Sequence, residues 1–125
     1  MAVNEEGRQT EIAGELAEAA RTLAHSTRIV PRPSDSYELL ASLRSAQDSL
    51  AQVYAQLAAW HEAAADGTHY NGEDDHGTPG LPAVGPDGQA TGLLNLAAAS
   101  AATTADLVAR AHAANAVVRW FDEVK

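Results

Sequence analysis

The stretch 39-LLASLRSAQDSLAQVYAQLAAWHEAA-64 decides the fold. Read in alternating steps of four and three, it gives Leu39, Leu43, Ala46, Leu50, Val53, Leu57, Trp60 and Ala64, a heptad-like apolar seam. Leu40, Gln47, Tyr54 and His61 form the stripe beside it, so the predicted buried face is broader than a bare seam. A helix over about 35–66 follows. Asp35-Ser36-Tyr37-Glu38 has capping-box spacing at its start, and Asp66-Gly67 marks its end.

Upstream, Ile12, Leu16, Ala19, Leu23, Ser26 and Val30 repeat the same spacing and predict a first helix over about 4–30. Asn4 is the expected cap, with Thr10 as a later alternative. Pro31-Arg32-Pro33 is the expected stop, because proline lacks an amide donor and disfavours a helical residue before it. Gly14 falls on the face opposite the seam, where glycine weakens a helix by about 1 kcal/mol against alanine.

Downstream, Leu93, Ala97, Ser100, Thr104, Leu107, Ala111, Ala114, Val118 and Phe121 predict a third helix over about 91–124, with Leu94, Leu96, Val108 and Val117 alongside. Residues 66–90 have no apolar periodicity and are rich in glycine and proline, so they read as one long acidic loop. The expected fold is all-α, a single domain over 1–125 in which three helices run up, down and up. Self-association is the expected route to a larger bundle.

Composition supports that class. The 125 residues are 46% hydrophobic but only 5% aromatic, so the apolar share is mostly aliphatic and alanine-rich, which suits closely packed helices. A formal charge of -9 disfavours nucleic acid and anionic membrane, since phosphate contacts need clustered Lys or Arg. There is no cysteine, hence no disulfide and no thiolate ligand or nucleophile. The opening Met1-Ala2-Val3-Asn4-Glu5-Glu6 lacks the pattern of a secretory signal, and no stretch reads as a membrane span, so the expected location is the cytoplasm.

Two segments carry no charge, one between Asp48 and Glu62 and one between Asp87 and Asp106. Solvent-facing helices normally carry charge outside, so both are expected to be covered on more than one side. In an up-down-up arrangement they meet at the same end. A homodimer is therefore the expected partner state, with Tyr54, Trp60, Leu94 and Trp120 as interaction candidates for a second copy or another protein. Its place on the seam makes Trp60 a candidate core residue, the alternative being a ring that serves a surface or a ligand.

The chemical candidates are His61, His69, Glu73, Asp75 and His76, joined by Asp66 and Asp74. Imidazoles and carboxylates are ligands for divalent transition metals when they converge. His61-Glu62-Ala63-Ala64-Ala65 misses the His-Glu-x-x-His pattern at its last position. No cofactor is expected in the leading reading, and a divalent metal in the alternative. Glu11, Glu15 and Glu18 form a carboxylate row expected to face solvent, and His25 and His112 are expected on the outer flanks of their helices. No nucleophile elbow, phosphate loop or dinucleotide fingerprint is present. Trp60-His61-Glu62 also departs from the Trp-x-Gly turn of small secreted helical-hairpin proteins.

Overall fold

The structure, a computed structural model, describes residues 6–30, 32–63 and 90–116. Among these residues there is no strand. The protein is all-α, with a 3-10 turn at Glu6–Arg8 followed by α1 (Gln9–Ser26), α2 (Pro33–Ala63) and α3 (Ala90–Ala116). The chain divides into two compact units, one carrying α1 and the other, from Tyr37 onward, carrying most of α2 and all of α3.

Helix α1 starts later and ends earlier than the apolar spacing predicts. The predicted cap Asn4 lies outside the described residues, and Thr10 sits inside the first turn. Arg8 occupies the cap position without a side-chain capping bond. Its guanidinium instead reaches forward to Glu11 at 3.1 Å and Glu15 at 3.3 Å, while Arg21 pairs with Glu18. The carboxylate row is thus a solvated, arginine-paired face, as expected. At the other end, Ser26 Oγ and Thr27 Oγ1 both donate to the Leu23 carbonyl, at 3.1 and 2.9 Å. These hydroxyls satisfy a last-turn acceptor locally, so the helix stops before the proline pair is reached. Ile12 and Leu16, on the predicted seam of α1, are exposed.

Helix α2 begins at Pro33 rather than at Asp35. Proline is well suited to a first helical position, where its missing amide hydrogen has no partner to lose. The Arg32 carbonyl accepts the Asp35 and Ser36 amides at 3.1 and 3.4 Å, and Arg32 Nη2 donates to Asp35 Oδ1 at 3.4 Å. Asp35 therefore serves the first turn of α2 instead of capping it. The helix runs 31 residues, about 45 Å at 1.5 Å per residue.

Helices α2 and α3 pack together as an antiparallel hairpin. Two contacts fix its direction. Thr91 Oγ1 donates to the Ala58 carbonyl at 3.2 Å, near the end of α2 and the start of α3. At the opposite end, the Tyr37 and His112 rings lie 4.1 Å apart and tilted by 31°. Ala58, Ala101 and Ala105 are the buried apolar residues of this hairpin, and no larger side chain is fully buried among the described residues. Alanine at the contact lets the two backbones approach closely, but it removes little apolar area from water.

Helix α3 also corrects one expectation. By length and composition alone it is long and apolar enough to cross a membrane, at 27 residues with a mean hydropathy of 1.2 over an 18-residue window. Its length beyond Ala116, predicted to about 124, lies outside the described residues.

Candidate interaction surface

The packing line on α2 is not the predicted seam. Leu40, Leu43, Gln47, Leu50, Ala51, Tyr54 and Ala58 are buried or half-buried, whereas Val53, Leu57 and Trp60 are exposed. On α3 the line runs through Leu94, Ala98, Ala101, Ala105, Val108 and His112, while Leu93, Leu96 and Leu107 are exposed. Each helix has rotated about its axis so that small residues meet across the contact. The bulkier part of each seam is left on the flank.

Where those flanks lie follows from helix geometry. Residues advance about 100° per position, and the two helices run antiparallel. Turning the same way from the contact line therefore leads, on both helices, to the same side of the hairpin. Val53, Leu57 and Trp60 on α2 share that side with Leu93, Leu96 and Leu107 on α3. Leu57 is 44% exposed, Trp60 51%, Leu93 53% and Leu96 66%. The two predicted seams thus do not face each other. They lie side by side and form one open apolar face.

The charges sort in the opposite sense. Arg44 and Asp48 pair at 3.9 Å on α2, and Arg110 and Asp106 pair at 3.3 Å on α3. By the same rotation all four lie on the other side of the hairpin, together with Glu62. Glu38, near the start of α2, falls at the back of that helix, next to Trp60 in angular position. The hairpin is a two-helix layer with one wet face and one oily one. A layer of that kind is stable only when its apolar side meets another layer.

The predicted interaction residues divide accordingly. Trp60 is on the open face, with its indole edge-to-face against His61 at 4.9 Å. It is therefore not the core residue that its place on the seam predicts. Tyr54 and Leu94 are half-buried on the contact line between α2 and α3. Trp120 lies outside the described residues, as do His69, Glu73, Asp75 and His76 together with Asp66 and Asp74. Of the metal candidates only His61 is described. No group of three His, Asp or Glu that could hold a metal occurs among the described residues.

His112 departs from its expected outer flank. It sits on the contact line against Tyr37, and its Nε2 is buried without a hydrogen-bond partner among the described residues. His25 belongs to the end of α1, where its Nε2 lies 3.1 Å from Arg28 Nη2. Arg28 Nε donates to the His25 carbonyl at 3.1 Å, so this cation completes a helix terminus. An open surface hollow of about 520 Å³ beside it is lined by His25, Ser26, Arg28 and Ile29.

Sequence reasoning missed the closest-packed residues, Ala58, Ala101 and Ala105. The signal was present as small residues four apart on α3, but a search for large apolar side chains passes over it. The chain matches no protein-family model, and no curated protein or solved structure is significantly similar to it.

Proposed function

We propose that this protein is a non-catalytic interaction module that self-associates through the uncharged part of α2 and α3. One observation carries the reading: bulky apolar side chains from both helices, Val53, Leu57 and Trp60 with Leu93, Leu96 and Leu107, lie exposed on one side of the hairpin, away from the Arg44–Asp48 and Arg110–Asp106 pairs, in a chain of net charge -9. Exposed apolar patches rimmed by polar residues mark interaction sites. Like-charged copies associate most readily where neither presents charge.

Native mass spectrometry of untagged protein tests this directly, because one spectrum reports subunit number and bound metal. The expected species has twice the 13.0 kDa chain mass and carries no metal. A metal-loaded monomer would instead support a ligand site at His61 and the 66–76 segment. A metal-free monomer at micromolar concentration would remove the self-association reading.

A further inference from the structure

We draw no further inference here: the strongest candidate, the open apolar surface patch that Leu57 and Trp60 of α2 form with Leu93 and Leu96 of α3, carries nothing beyond the proposed self-association, because nothing in the structure shows what covers it.

Discussion

The two faces of the α2–α3 hairpin are built on the same helices yet follow opposite rules. One side holds the Arg44–Asp48 and Arg110–Asp106 pairs, and the other holds Leu57, Trp60, Leu93 and Leu96, each largely in contact with solvent. The line between them is closed mostly by alanine, with Ala58, Ala101 and Ala105 buried. The contrast teaches where the stabilising area resides. Close alanine contact defines how the helices meet, but most of the apolar area that remains to be buried is on the open face. Such a hairpin is a half-core, and its stability is coupled to whatever completes it.

The sharpest way to break this contrast is to give the apolar face a charge. Leu57→Asp places a carboxylate where the proposed dimer is dry, and an unpaired buried charge is expensive. A loss of at least about 3 kcal/mol of association, roughly a hundredfold or more in Kd, is expected. Gln52→Asp, five residues away and turned toward the charged side, should leave the dimer constant almost unchanged. Analytical ultracentrifugation of the two variants checks the pair, and equal weakening by both would show that the faces are not functionally distinct.

The contact line is the next most sensitive place. Ala105 is only 3% exposed, so Ala105→Leu forces a branched side chain between two closely apposed backbones. Overpacking of this kind costs about 1–3 kcal/mol. Leu107→Ala, on the open flank where Leu107 is 53% exposed, should cost less in the dissociated protein. Urea unfolding at a concentration below the dimer constant separates the two. If the leucine deletion were the costlier change, the assignment of packing line and open flank would be reversed.

How the sequence led to the right helices but the wrong face has a physical cause. Apolar period fixes that a segment is helical and roughly which half is apolar, and for α2 and α3 it does so within two or three residues at each described end. It does not weigh large against small. Leu39, Val53, Leu57 and Trp60 dominate any hydropathy count, yet Ala51 and Ala58 beside them allow the closer approach, and close approach decides the contact. By the same measure Trp60 belongs to the buried seam, whereas it is 51% exposed, and Tyr54 and Leu94, off the strongest line, are half-buried. The charge-free segments were the more informative signal, because a missing charge reports a requirement of the surroundings rather than the size of a side chain. Helix ends were legible only where local chemistry is simple. Pro33 as a first helical residue and the Ser26–Thr27 hydroxyl stop depend on individual hydrogen bonds that no periodicity encodes.

A smaller effect is expected where the two helices are tied together at the end of the hairpin near Ala58. The Thr91 hydroxyl reaches across to the Ala58 carbonyl at 3.2 Å in a part-buried setting. Thr91→Val keeps the shape and removes the donor, while that carbonyl remains within the helical ladder of α2. A loss of about 1 kcal/mol is therefore expected, the usual net value of one such bond. Hydrogen exchange should register it as faster opening of amides around Ala58 and Leu94, with those around Tyr37 and His112 unaffected. Uniform acceleration along both helices would mean that the hairpin opens as one unit.

The charged face should respond least of all. Arg44 Nε and Asp48 Oδ2 are 3.9 Å apart with both side chains more than half exposed, and Arg110 and Asp106 have the same i, i+4 spacing at 3.3 Å. Exposed pairs of this kind contribute a few tenths of a kcal/mol, because water screens the attraction and two long side chains must be ordered to make it. Asp48→Ala with Asp106→Ala should thus shift the urea midpoint only slightly. Association is the more informative readout, since removing two negative charges from each copy reduces long-range repulsion between acidic chains. A modestly tighter dimer is expected at low salt, with the advantage lost as salt is raised. A dimer weakened by these changes would place the charged side in the interface and reverse the roles of the two faces.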